Sequence, residues 1–510
     1  MSGGPIASTS TGDLEGSWAG AVARFDGIPY AEAPTGDRRW APPVPRAPWS
    51  GVRQATAPGP VAPQLGGPLA PVTGPVDLSL AREDCLTIDL RTPEPSAGAG
   101  LPVVVFVHGG GYVSGAGSLP WYDGTSLAAL GCVTVNLNYR LGVLGFGFLP
   151  EEVTGGEPVA NLGLQDLCLG LEWVAENVAA FGGDPGRVTV VGQSVGAHAI
   201  ACLAAIPAAR SRFHRVVLQS GPFGSPAMAP ERAEQVTARF LAKLGLERPT
   251  LAELRELPVQ DLLAAQAGAL IESLVFGRLG PPFGPVVDGT LLATDPVAEL
   301  AANLAGHDLL LGYTGAEARA FFYAAALWGI DVWERTAAEL ADHARAAGNS
   351  ALAELLPAYA ELDSSQPAGA AFCDLVGDEF MVRPTIELAH QRADAGPAPH
   401  LYELTWAPEE ADPRLGSCHA IDLPLLFGSF DAWAGSPLLG GGPGAGGREL
   451  SARIQGAWHC FAERGDPGHP ELPPWPRAEG EHPVAMRLDL ECATTASLAG
   501  GRERLWGAGR

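Results

Sequence analysis

Gly192-Gln193-Ser194-Val195-Gly196 follows the apolar run Val188 to Val191 and opens a helix-compatible stretch, His198 to Leu203. A serine on so tight a strand-to-helix turn has its hydroxyl pushed out of the sheet, and glycines two residues to either side remove side chains that would block the approach to it. Ser194 therefore reads as a nucleophile. A serine hydroxyl attacks poorly near neutral pH, so it needs a base to take its proton and donors to hold the oxyanion that follows. For the donors, His108-Gly109-Gly110-Gly111 comes directly after the apolar run Val103 to Val107. Consecutive glycines let backbone N–H groups reach a bound carbonyl oxygen without side-chain interference. The N–H groups of Gly110, Gly111 and Val195 are the expected oxyanion hole.

The base must come from 11 histidines. For a nucleophile on this kind of turn the partners follow in the order nucleophile, acid, histidine, which excludes His108 by order and His198 by its place just after the turn. His419 lies in the loop-like stretch Gly416 to Pro424 beyond a strand candidate, His400 to Trp406, whereas His459 sits in a helix-like run and His469 and His482 lie in Pro-rich loops, the last of them outside the residues described below. The acid should orient the imidazole from a loop beyond a strand between Ser194 and His419. Glu317, after Leu309 to Thr314, fits; Asp308 begins that strand, and Asp374, Asp378 and Glu379 are less well placed, so spacing alone leaves the acid open.

The elements that must position these residues alternate along the first half of the chain. Strand-like runs are Val103 to Val107, Val133 to Tyr139, Val188 to Val191 and Arg215 to Gln219, with a helical Leu164 to Phe181 among them. Such alternation implies right-handed crossovers between parallel strands, hence an α/β fold with a doubly wound, mostly parallel central sheet flanked by helices. Further strands are expected at Asp308 to Gly312 and His400 to Trp406, with an Ala/Leu/Glu-rich helical region at about 316–391 that caps the site. A Gly-rich tract, Leu439 to Gly447, reads as a mobile loop before a helical Glu449 to Arg464. With neither a repeat nor a clean linker, residues 1–510 read as a single domain.

At 510 residues and 46% hydrophobic content the chain can bury a large core. Met1 to Gly16 lacks a basic start and an apolar core of signal-peptide length, and no later run is apolar enough to span a bilayer, so an unexported, cytoplasmic protein without a membrane span is expected. The eight cysteines have neither C-x-x-C pairs nor metal-ligand spacing and read as reduced thiols. A formal charge of −25 disfavours nucleic acid and anionic membrane, and weakly repels anionic substrates at long range.

Ordered motifs carry the rest. Phe25-Asp26-Gly27-Ile28-Pro29-Tyr30-Ala31, Glu83-Asp84-Cys85-Leu86, Tyr139-Arg140-Leu141-Gly142 and Asn161-Leu162-Gly163-Leu164-Gln165-Asp166 precede the serine turn, with Phe181-Gly182-Gly183-Asp184-Pro185 just before it. Gln219-Ser220-Gly221, Pro285-Val286-Val287-Asp288-Gly289 and Phe461-Ala462-Glu463-Arg464-Gly465-Asp466-Pro467 follow it. From about Phe25 to about Trp475 the chain thus resembles the type-B carboxylesterase and cholinesterase family of α/β-hydrolases, and within it the bacterial para-nitrobenzyl-esterase-like members.

The resemblance implies Glu317 as the acid and His419 as the base, with ion pairs Arg39–Glu83 and Arg140–Asp166 of structural character. It also implies a serine carboxylesterase acting on a small-molecule ester through an acyl-enzyme, with neither metal nor organic cofactor. Carbamate, lactone or amide cleavage by the same groups, and a non-catalytic binding module on the same fold, are the alternatives. Trp121, Phe223, Phe276, Phe321, Phe322, Trp328 and Phe427 are candidates to line the acyl or alcohol pocket. The oligomeric state is left open, a monomer sufficing.

Three departures from the family pattern stand out. Gln193 replaces the usual glutamate, which removes a negative charge near the imidazole and argues against a choline ester. Val195 replaces the usual alanine and narrows the acyl space beside the serine. No cysteine precedes Cys85, the residue that exported relatives pair with an earlier one, which suits a reducing compartment.

Overall fold

A computed structural model describes residues 3–280, 283–480 and 483–506. In chain order its strands are β1 (Ile6–Thr9), β2 (Gly12–Glu15), β3 (Ser17–Ala19), β4 (Val22–Pro29), β5 (Val52–Gln54), β6 (Thr87–Thr92), β7 (Leu101–Val107), β8 (Val133–Leu137), β9 (Gly183–Gln193), β10 (Arg215–Gln219), β11 (Asp308–Thr314), β12 (His400–Leu404), β13 (Ala485–Leu488) and β14 (Ala493–Thr495). Strands β1, β2 and β5 form a small sheet, and the other 11 form the central sheet in the order β14-β13-β12-β11-β10-β9-β7-β8-β6-β4-β3. From β8 to β13 the pairing is parallel, while β14 at one edge and β6, β4 and β3 at the other are antiparallel.

Alternation along the strands explains why helices cover both faces. Val103, Val105 and Val107 of β7 face the core beneath the helices Leu162–Asn177 and Val195–Ala205, whereas Val104 and Phe106 face the one beneath Asp422–Phe427 and Gly444–Arg464. A strand buried on both faces reads as a continuous apolar run, which is the sequence pattern of β7 and β9.

The registers also fix where loops emerge. Val107 pairs with Gly192, Gln193 with Gln219, Gln219 with Gly312 and Gly312 with Tyr402, so the carboxyl ends of β7, β9, β11 and β12 share one edge. In parallel α/β sheets that edge is where ligands bind.

The expected helical region at 316–391 contains Arg319–Ala326, Ala337–Ala346, Ser350–Leu362, Ala368–Gly377 and a π turn, Asp378–Val382, leading into Arg383–Ala395. Phe322 and the three helices from Ala337–Ala346 to Ala368–Gly377 pack on an apolar cluster of their own, whereas Ile386, Leu388 and Ala389 of Arg383–Ala395 join the main core. The Gly-rich tract departs from expectation at its end, because the helix begins at Gly444 rather than Glu449. A side-chain carbon at Gly447 would lie 2.6 Å from the Trp406 ring, so glycine there serves close helix packing rather than a loop.

Both expected ion pairs are formed. Arg39 donates to Glu83 through Nε at 2.7 Å and Nη2 at 2.6 Å. Arg140 donates to Asp166 through Nε at 2.8 Å and Nη2 at 2.6 Å, and also to the Ala41 carbonyl at 2.8 Å. Because Asp166 is fully buried, removing its partner leaves an uncompensated charge. Arg140→Met is expected to lower stability by about 3–5 kcal/mol in urea denaturation.

Candidate active site

Ser194 caps the helix that follows β9 with φ 58° and ψ −131°, a sparsely populated conformation for a residue with a side chain. The surrounding backbone holds it there. A carbon added at Gly196 would sit 2.1 Å from the Val107 carbonyl oxygen, and one at Gly109 would sit 2.9 Å from Ser194 Cβ. The helix therefore crosses β7, and the glycine loop presses on the serine, only because these positions carry no side chain. Ser194 Oγ makes no hydrogen bond among the described residues.

His419 comes from the loop after β12 and is buried with Glu317, which follows β11. The imidazole Nδ1–H donates to Glu317 Oε2 at 2.6 Å, and Glu317 Oε1 accepts the Thr314 N–H at 2.8 Å. Since the carboxylate only accepts, Nδ1 carries the proton and Nε2 offers its lone pair. The two loops are tied together: Ala316 N–H donates to Ser417 O at 2.9 Å and Gly315 N–H to Leu404 O at 2.8 Å.

Gln193, expected near the imidazole, makes a direct contact there: its amide Nε2 lies 3.2 Å from His419 Nε2 and donates to it. A glutamate there would stabilise an imidazolium and keep the ring charged to higher pH. In Gln193→Glu the acid limb of a pH–rate profile is expected to move to higher pH by about one unit, the size of a nearby carboxylate's effect.

His108 and His198, set aside as bases from the sequence, are structural. His108 is buried beneath the glycine loop and stacks on Tyr139 at 4.4 Å, while His198 shares a 2.8 Å hydrogen bond with the Tyr112 hydroxyl. Burial pushes each down to about 4, so both are neutral near pH 7.

Asp422, three residues beyond His419, is a group that sequence reasoning did not single out; the motif His419 to Pro424 was its only signal. It is buried, accepts a 2.6 Å hydrogen bond from Gln219 Nε2, and leaves Oδ1 unpartnered. Burial, opposed by His419 and reinforced by the Glu317 charge, pushes its carboxyl up to about 6. A raised folded-state value means that ionising Asp422 costs stability as pH rises from about 4 through 6. Asp422→Asn, which keeps an acceptor for Gln219, is expected to gain about 1–2 kcal/mol over the native protein at pH 8 and nothing at pH 4, by chemical denaturation.

Ser194, Val195, Gly110, Gly111 and His419 line one cavity with about 1260 Å³ of empty space, its open mouth included. The N–H groups of Gly110, Gly111 and Val195 donate no hydrogen bond among the described residues and are available to a ligand. Of the aromatic candidates, Trp121 and Phe321 line the cavity; Trp121 stacks on Trp433 at 4.8 Å, and Phe321 lies 5.2 Å from the His419 ring.

The structure places the other five elsewhere. Phe223 packs in the core against Gly221, and Phe427 sets its edge on Phe106 at 5.0 Å. Phe276 and Phe322 pack on Phe372 at 5.1 and 5.2 Å. Trp328 is 64% exposed. Aromatic identity did not separate core from pocket, and aliphatic liners such as Leu270, Leu274, Met381 and Leu423 had no distinguishing signal.

Among the described residues no helix is long and apolar enough to cross a membrane, and no cluster of three or more His, Cys, Asp or Glu is arranged to hold a metal.

A profile of the carboxylesterase family matches residues 3–506. The chain is 37% identical over 505 residues to a phenmedipham hydrolase of Pseudarthrobacter oxydans, covering 96% of each chain. It is 34% identical over 495 residues to the para-nitrobenzyl esterase of Bacillus subtilis, covering 95% of each. A solved PNB esterase structure superposes with a TM-score of 0.84 at 32% identity, over 99% of both chains. With its serine turn, buried histidine–carboxylate pair and free backbone donors on one cavity, the chain belongs to the carboxylesterase family of α/β-hydrolases and is a carboxylic ester hydrolase.

Proposed function

We propose that Ser194, His419 and Glu317 form a catalytic triad and that Gly110, Gly111 and Val195 form its oxyanion hole. His419 Nε2 exchanges the Gln193 amide for the Ser194 hydroxyl and takes its proton as Oγ attacks the ester carbonyl. The three N–H groups hold the tetrahedral oxyanion, and the alcohol leaves with the proton from Nε2. Water then gives a proton to Nε2 and its oxygen to the acyl carbon, and collapse of this second intermediate returns the proton to Ser194 Oγ and frees the acid. Glu317 fixes the tautomer throughout and faces the imidazolium when it forms. The Nδ1–Glu317 bond beside a nucleophile turn on the same cavity carries this reading.

The helical region at about 316–391 serves as a cap, since it supplies Phe321 and Met381 to the cavity. The eight unpaired thiols suit a reducing, cytoplasmic setting. A fitting test is hydrolysis of p-nitrophenyl esters from acetyl to long acyl chains, with an organophosphonate probe mapped by peptide mass. Labelling at Ser194 that blocks turnover is the expected result. A folded protein inert to the probe would favour a binding module. Resemblance to a phenmedipham hydrolase favours carbamate cleavage by the same groups as a second reading, tested by adding aryl carbamates to the series.

A further inference from the structure

Of the described residues lining the cavity, only His419 and Arg278 have basic side chains, and no Asp or Glu is among them. The backbone at Arg278 is set by a turn, and its side chain is exposed. After the helix Val259–Ser273, whose Leu270 lines the cavity, Leu274 continues the wall and Arg278 N–H donates to the Val275 carbonyl at 3.1 Å. Phe276 pins that turn between Phe372 at 5.1 Å and His343 at 5.7 Å, and Gly277 supplies the φ of +73° that reverses the chain. The Arg278 guanidinium itself has no hydrogen-bond or ion-pair partner among the described residues. The acid nearest to it in sequence, Glu272, is taken by Lys243.

An unpaired, solvent-exposed planar cation on the rim of a mostly apolar cavity suits one kind of group. The guanidinium fork matches a carboxylate through two parallel hydrogen bonds, a geometry that an ammonium or a lone N–H does not offer. The chain's −25 charge repels anions at long range, but salt screens that field within about 10 Å and leaves the local cation to decide at the site.

We propose that Arg278 binds a free carboxylate of the substrate remote from the scissile carbonyl, so that the favoured substrates are esters bearing a second, ionised acid group. This rests on the esterase reading above.

The test compares two pairs of esters. One pair is the hexanoate of 4-hydroxybenzoic acid against that of 4-hydroxybenzamide; the other is the p-nitrophenyl monoester of suberic acid against its terminal carboxamide. For the native protein and for Arg278→Gln, the readout is the ratio of kcat/KM for the acid to that for the amide. In at least one pair this ratio is expected to fall about tenfold in Arg278→Gln, mainly through KM. Arg278→Lys should restore part of it, and added salt should erode it in the native protein only. An unchanged ratio in both pairs overturns the proposal. Turnover of neither member by the native protein counts instead against the esterase reading. The same ratio is then read as Kd on Ser194→Ala protein, where equal affinity for acid and amide in both pairs overturns the role of Arg278.

Discussion

In Ser194→Ala, kcat for p-nitrophenyl esters is expected to fall by about 10⁵- to 10⁶-fold. The fold should be untouched. Ser194 Oγ has no hydrogen-bond partner among the described residues, and alanine meets the same strained backbone at φ 58°, so no native bond is lost and no new strain is added. What vanishes is the atom that forms the acyl-enzyme. A residual rate of about 10³- to 10⁴-fold over water should persist, because the N–H groups of Gly110, Gly111 and Val195 and the cavity itself still act on the ester. Burst kinetics and thermal melting measured together separate this outcome from unfolding. A variant that melts like the native protein and keeps its burst would remove Ser194 from the reaction.

Glu317→Gln is expected to lower kcat by about 10⁴-fold while KM stays within about twofold. Glu317 is absent from the cavity wall, so substrate contacts survive. Its carboxylate holds the Nδ1 proton of His419 at 2.6 Å, and an amide in its place can donate to Nδ1, which moves the ring proton to Nε2 and leaves no lone pair for the serine. The same change removes the negative charge that faces the imidazolium. A loss confined to KM would assign Glu317 to binding instead.

Much of this arrangement was legible because it depends on local sequence. The apolar runs of β7 and β9 are buried on both faces and cannot alternate, and glycines at 192 and 196 announce the turn between them. The flanking strands β3, β4 and β6 and the small sheet of β1, β2 and β5 were not foreseen: Ser17–Ala19 and Val52–Gln54 are only three residues long, and the buried Val22–Pro29 and Thr87–Thr92 break their apolar pattern with Arg, Asp, Thr, Gly or Pro. Pocket walls were the least legible part. Phe321 lines the cavity while its neighbour Phe322 packs on Phe372, a difference set by helix rotation rather than residue type. The contact between Gln193 and His419 joins residues 226 positions apart and exists only in three dimensions.

The crowding around Ser194 has a consequence for redesign. Positions 109, 192 and 196 tolerate no side chain, since carbons added there meet backbone or serine atoms within 2.1 to 2.9 Å. A library that randomises the serine turn and its glycine loop would return mostly dead clones. Leu270, Leu274, Phe321, Met381 and Trp433 border the cavity away from that turn and its loop. Diversity placed on those five side chains can remodel which ester is accepted while the chemical centre is left as it stands.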